Sequence, residues 1–301
     1  MAPARFRTRR RVFALSLAVA VATMLVLATG ASAGLLTPES GGSSNADSID
    51  TLYKIIMGVA VLVFVGVEGV LLYSLIKFRV RKGAVPAQIR GNTKLEVGWT
   101  IGASVILVVL AIVTFVMLDD IRNPPNSDPD GYPAQEIQKL SGPAAYQPIP
   151  PNGRGLNIKV NGQQYVWRYT YPDGDDNDQN NVFNYEELVV PTKTTVTLEI
   201  AAQDVVHSWW IPKLGGKADA VPGHLNFTWF KIPEPGVFRG QCAELCGRNH
   251  ADMIASVRAV SPADFKIWMD DKKREIEAAN KLAEERRKQI AGEQASGDEA
   301  P

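Results

Sequence analysis

Apolar positions fall in two different patterns along this 301-residue chain. Near the start they run almost unbroken, as "VFALSLAVAVATMLVLA" (residues 12–28), then from Ile55 to Ile76 and from Val97 to Leu118. Each of the last two runs gives roughly 33 Å of helix, enough to cross a bilayer. From Leu156 onward apolar residues alternate in short runs: "LNIKV", "YVWRYTY", "TVTLEI", "NFTWFKI", "VFRGQC" and "MIASVRAV". A period of two marks strands and puts Tyr165, Trp167, Tyr169 and Tyr171 on one face. The expected fold is a two-helix transmembrane hairpin (55–76 and 97–118) joined to an all-β domain over 157–262, a sandwich or a barrel by its strands alone, and long enough to bury a core.

The polar stretches divide the rest. Residues 1–33 carry the basic run "RFRTRRR", an apolar centre and the small residues "TGASAG", the layout of a secretory signal with cleavage after Ala33. An uncleaved first helix is the alternative, because the apolar centre is somewhat long. Residues 34–54 form a short outer segment. The loop 77–96 holds Lys77, Arg79, Arg81, Lys82, Arg90 and Lys94 against the single acid Glu96, which keeps it in the cytoplasm and leaves everything after Leu118 outside. Residues 119–156 are rich in proline and lack a sustained period, so they read as a linker or an irregular excursion. Ser261 and Pro262 open a helix with Phe265, Trp268 and Met269 on one face, and residues 263–301 continue as a charged helix and tail.

Composition narrows the chemistry. The formal net charge is zero, and no nucleic-acid partner is expected. Only two cysteines and three histidines are present, and no Cys-x-x-Cys-His haem attachment site occurs. Both cysteines lie in "GQCAELCGRNHADM" (240–253), with Glu244, His250 and Met253 beside them. In an oxidising compartment Cys242 and Cys246 alone suit a disulfide. With His250 and His207 they suit a structural zinc, which leaves Met253 without a role. A thioether favours copper, and Cys, His and Met on one loop of a small sandwich is a cupredoxin-like arrangement. Two thiolates bridging two ions would share out two imidazoles and two weak ligands evenly.

"HSWWIPKLGGKADAVPGHLN" followed by "GQCAELCGRNHADM" resembles the subunit II family of haem-copper cytochrome c oxidases, from about Thr51 to Trp268. The resemblance implies a dinuclear copper centre bridged by Cys242 and Cys246, with His207 and Met253 on one ion and His250 and the Glu244 carbonyl on the other. It also implies that the Glu244 side chain reaches a magnesium ion shared with the catalytic subunit, close to Asp219. Glu96, in "LEVGWTI", matches the acid at the mouth of a proton path. The family segment Gly-His-Gln-Trp-Tyr-Trp-x-Tyr aligns with residues 162–169, so Tyr165 stands at the implied electron-input tryptophan, Trp167 at the second, and Gln163 at the His. Asp204 matches an acid near the docking surface, and His224 replaces the usual Arg. Asp173, Asp175, Asp176 and Asp178 form an acidic stretch able to steer a basic partner, or simply a solvated loop. Glu68, deep in the first membrane run, has no basic neighbour in sequence, which points to a partner contact or a protonated structural role.

These readings converge on an oxidoreductase subunit in a bacterial cell membrane with its copper domain on the outer face. It would accept electrons from a c-type cytochrome and pass them to haem in a catalytic partner that reduces oxygen and pumps protons. The rival class is a membrane-tethered copper-binding or copper-delivery protein. A quinol oxidase subunit of the same fold is a third reading, but such subunits lack the copper ligands.

Overall fold

The computed structural model describes residues 36–79, 83, 85, 87–133, 135–139, 146–173 and 180–297. The expected signal segment, residues 1–33, lies outside them, as do Arg81 and Lys82 of the basic loop and residues 140–145 of the Pro-rich stretch. Helix α1 covers Ser44–Lys77 and α2 covers Thr93–Arg122, and both are long and apolar enough to cross a membrane. Their middle portions expose side chains such as Leu62, Phe64, Leu107 and Phe115. Asn92 caps α2 by accepting from the Leu95 N–H, while Glu96 reaches back to accept from the Asn92 N–H at 3.1 Å.

Helix α1 begins eleven residues before the expected membrane run, inside the segment expected to be a short outer lead-in. Its polar first turns find partners in the β domain, which allows the helix to continue past the membrane boundary. Asn45 donates to the buried Trp229 carbonyl at 2.8 Å, and the Ser43 hydroxyl accepts from the Lys231 N–H at 3.0 Å. Trp229 also donates from its indole to the Ile121 carbonyl of α2 at 3.0 Å. One strand thus holds the start of α1 and the end of α2.

The β domain is a two-sheet sandwich. One sheet runs β4 (Val182–Tyr185), β3 (Val166–Tyr171), β2 (Arg154–Gln163), β6 (Thr195–Ala202) and β9 (Asn226–Lys231), with the short β1 (Gln135–Glu136) also paired to β2. The other runs β5 (Glu187–Pro191), β11 (Ile254–Val260), β10 (Gly236–Cys242), β7 (His207–Trp210) and β8 (Ala218–Ala220). All six strands expected from alternation are present. The additional ones were less legible: β5 is a continuous buried run, and β4, β7 and β8 are only three or four residues long. Trp167, Tyr169 and Tyr171 point inward from β3, and Tyr169 accepts from the Trp209 indole of the opposite sheet at 3.1 Å. Burial pushes both tyrosine hydroxyls well above their ordinary range.

The described part of the Pro-rich stretch is an irregular strap on the domain and not a free linker. Thr195 donates to the Pro125 carbonyl at 2.6 Å, the Tyr132 N–H donates to the Thr194 hydroxyl at 2.8 Å, and Ile137 is buried. Proline cannot donate to a ladder, so the segment attaches through scattered main-chain and side-chain bonds, and only the two-residue β1 pairs with the sheet. At the chain's other end, helix α3 (Pro262–Gly297) buries Phe265 against Tyr132 and sets Trp268 edge-on to Tyr171, after which most of its described charged side chains are exposed. Burying one such aromatic contributes about 2–3 kcal/mol, enough to pin the first turns.

Candidate metal centre

The strand order β11-β10-β7 places three potential ligands side by side. Cys242 ends β10 and pairs with Trp209 of β7, two residues after His207. Its N–H donates to the Met253 carbonyl at 2.9 Å, just ahead of β11. The intervening loop closes through Ala243 N–H to the Ser208 carbonyl and His250 N–H to the Gly247 carbonyl, returning Cys246 and His250 to the same point.

Donor atoms crowd together there. Cys242 Sγ lies 3.9 Å from Cys246 Sγ, 4.0 Å from His207 Nδ1 and 3.3 Å from the Glu244 carbonyl oxygen. Cys246 Sγ lies 3.6 Å from His250 Nδ1 and 3.9 Å from Met253 Sδ. Both cysteines are free, and their sulfurs are far beyond the roughly 2.05 Å of a disulfide. Ligands around a tetrahedral ion with bonds of about 2.0–2.3 Å sit roughly 3.3–3.8 Å apart, close to the spacing found here. His207 and Met253 are 0% exposed and the two cysteines 5% or less, so water is kept from the sulfurs. The donor set of two thiols, two imidazoles, a thioether and a carbonyl fits copper in a closed shell.

Outer contacts fix the ligands. His207 donates from Nε2 to Asp204 Oδ1 at 2.9 Å, which turns the Nδ1 lone pair toward Cys242. Burial pushes the Asp204 carboxyl up, but bonds from His207, the Gln164 N–H and the Val205 N–H outweigh it and hold the group below the usual carboxylate range. Burial, followed by the nearness of Cys242, raises the Cys246 thiol to about 11. Metal binding must therefore displace a proton there. Gly162 supplies the space: a Cβ there would lie 3.0 Å from the Trp167 ring and 3.1 Å from that of His207.

The remaining expected site residues divide by location. Half-buried Tyr165 lies against the loop, its hydroxyl 2.5 Å from where a Cβ on Gly247 would be, and Trp167 is buried edge-on to His207. Asp173 is not with them. It follows the far end of β3, roughly 20 Å from Tyr165 at about 3.3 Å per residue, where Lys273 of α3 approaches it at 3.9 Å. Asp175, Asp176 and Asp178 lie outside the described residues. Asp219 is exposed on β8 and lines a cavity of about 500 Å³ with Asn45, Arg122 and Trp229. The Glu244 side chain points to solvent while its carbonyl faces the cluster. Glu68 is exposed on α1, and Glu96 sits in its helix-capping bond. Sequence reasoning passed over Gln164, whose side chain donates to the Cys246 carbonyl at 2.6 Å. Its place between two singled-out residues, Gln163 and Tyr165, was the available signal.

A membrane-anchored β-sandwich with a closed, sulfur-rich metal cradle is the class that fold and site define. Residues 31–117 match the family described as cytochrome c oxidase subunit II, transmembrane domain, and residues 177–260 match cytochrome c oxidase subunit II, periplasmic domain. A probable cytochrome c oxidase subunit 2 of Rickettsia bellii is 32% identical over 241 residues, covering 75% of this chain and 80% of the relative. Cytochrome c oxidase subunit 2 of Arabidopsis thaliana is 33% identical over 231 residues, covering 70% of this chain and 79% of the relative. The crystal structure of the periplasmic domain of subunit II of cytochrome oxidase from Bradyrhizobium japonicum is similar at 34% identity, with a TM-score of 0.37 over 40% of this chain and 95% of that one. The chain belongs to the cytochrome c oxidase subunit II family. It is a membrane-bound subunit of a haem-copper oxidase, an oxidoreductase complex, and its cupredoxin-like domain fits a copper centre. The copper-delivery reading is not favoured.

Proposed function

We propose that this chain takes electrons from a c-type cytochrome at a dinuclear copper centre and hands them to haem in the catalytic subunit. The observation that carries this reading is the pair of unjoined sulfurs 3.9 Å apart with two imidazoles and a thioether around them. Cys242 and Cys246 would bridge both ions, His207 and Met253 would complete one shell, and His250 with the Glu244 carbonyl the other. When bound, the copper pair supplies a one-electron couple with its charge shared between two ions. The chain's own task is to keep that couple rigid and dry. Strands β7, β10 and β11 fix the ligand positions, burial excludes water, and Asp204 holds the His207 tautomer. With every donor from protein, no coordination position remains for a substrate, which favours transfer over catalysis at this site.

Tyr165 and Asp204 flank the cradle and would meet the donor, with Trp167 behind them. Asp173, Asp175, Asp176 and Asp178 would act through their field on a basic partner, since Asp173 lies too far from the cradle for a shared contact. The exposed Glu244 side chain and Asp219 would face the catalytic subunit and share its magnesium. Glu96 would stand at a proton path, with the charged loop inside a bacterial cell and the copper domain outside. The test is metal analysis and paramagnetic resonance of the purified oxidase. Two coppers per chain in one delocalised mixed-valence signal are expected beside those of the catalytic subunit. A lone copper, a zinc ion or a Cys242–Cys246 disulfide in the working complex refutes the reading.

A further inference from the structure

We propose that Gln164 is a positioning residue for the metal loop, tying together the two histidine-bearing arms of the cradle. This rests on the copper reading above and deepens it. The arms come from different parts of the chain: His207 opens β7, while Cys246 and His250 lie on the loop after β10. Gln164 touches both. Its side-chain amide donates to the Cys246 carbonyl at 2.6 Å. Its main-chain N–H donates to Asp204 Oδ2 at 2.7 Å, and the other Asp204 oxygen accepts from His207 Nε2 at 2.9 Å.

Geometry makes the Cys246 carbonyl a sensitive point. Cys246 leads directly into the tight turn at Gly247, which the His250 N–H closes onto the Gly247 carbonyl at 3.2 Å. Rotating the Cys246 peptide moves the Sγ and the imidazole of His250 together, and those atoms are 3.6 Å apart. Inside the domain, strand pairing already fixes Cys242 and Met253. The outer half of the loop has no strand partner, and Leu245 there is 78% exposed. The Gln164 amide supplies that missing restraint from the side on which Tyr165 lies. A neutral hydrogen bond contributes about 0.5–1.5 kcal/mol net, or roughly two- to twelvefold in an equilibrium. Since Gln164 faces solvent, a value near fivefold is expected.

The discriminating substitutions are Gln164→Leu, which removes the donor at similar size, and Gln164→Glu, which keeps the shape but turns the donor into an acceptor against the same carbonyl. Both leave the main-chain bond to Asp204 in place. In the assembled oxidase, each variant is expected to lose copper to a chelator about fivefold faster than the wild type. Each should also show an altered hyperfine pattern and a shifted midpoint potential, while the melting temperature of the metal-free chain is unchanged. Wild-type spectra and copper-loss rates in both variants overturn the positioning role and leave the copper reading intact. A lowered melting temperature with a wild-type spectrum also overturns it, assigning Gln164 to general stability. A wild-type complex without the mixed-valence signal takes down the copper reading and this inference together.

Discussion

Asp204→Ala tests the idea that this cradle is set by contacts outside the ligands. His207 is 0% exposed, and its Nε2–H has Asp204 as its acceptor at 2.9 Å. A hydrogen bond to a charged group contributes about 1.5–3 kcal/mol, and the lower end applies because the Asp204 side chain is 33% exposed. Truncation also leaves a buried imidazole N–H without its acceptor, which costs about 1–3 kcal/mol unless water enters. The two figures describe the same lost contact from its two sides, so the expected loss is about 2 kcal/mol, or roughly 30-fold in copper affinity. Asp204→Asn separates charge from geometry. Its amide has one acceptor oxygen where the carboxylate has two, so it can serve His207 or the Gln164 N–H but not both, and a loss of about 1 kcal/mol, roughly fivefold, follows. Chelator competition on the purified complex measures both variants, with melting of the metal-free chain as control. Copper retention in Asp204→Ala equal to wild type, or Asn no better than Ala, refutes the reasoning.

Other substitutions probe the scaffold. Asn45→Ala strips the partner from the buried Trp229 carbonyl, so a loss of about 1–3 kcal/mol and a drop of several degrees in melting temperature are expected; an unchanged melt contradicts the clamp between α1 and β9. Gly240→Ala would place a Cβ 1.9 Å from the Trp210 carbonyl, a backbone atom that cannot turn aside, so the variant should fail to accumulate as folded protein; a wild-type yield with full copper refutes the close approach of β10 to β7. Glu96→Gln keeps an acceptor for the Asn92 N–H, so α2 should remain capped. Oxidase turnover should fall if the carboxyl carries protons, and turnover equal to wild type reduces Glu96 to a helix cap.

Much of this protein was legible in one dimension. Unbroken apolar runs announce α1 and α2 because a bilayer requires a minimum length of apolar helix, and alternation announces the inward face of β3 because a strand's side chains alternate strictly. The 242–253 loop reveals its chemistry because its cysteines, histidine and methionine are close in sequence. Strand pairing decided the rest. His207 reaches the loop only because β7 lies beside β10, and the described residues of the Pro-rich strap belong to the domain through bonds to residues far along the chain, such as Thr194 and Thr195, and through the pairing of β1 with β2. The same geometry removed Asp173 from the neighbourhood of Tyr165, since a straight strand carries its ends apart however close they stand in the chain. Local pattern fixes which elements form and what donors they carry, because periodicity and ligand chemistry are properties of neighbouring residues. Which donors meet, and which side chains hold them from behind, depends on sheet order and loop closure between residues tens of positions apart, and no local pattern contains that information.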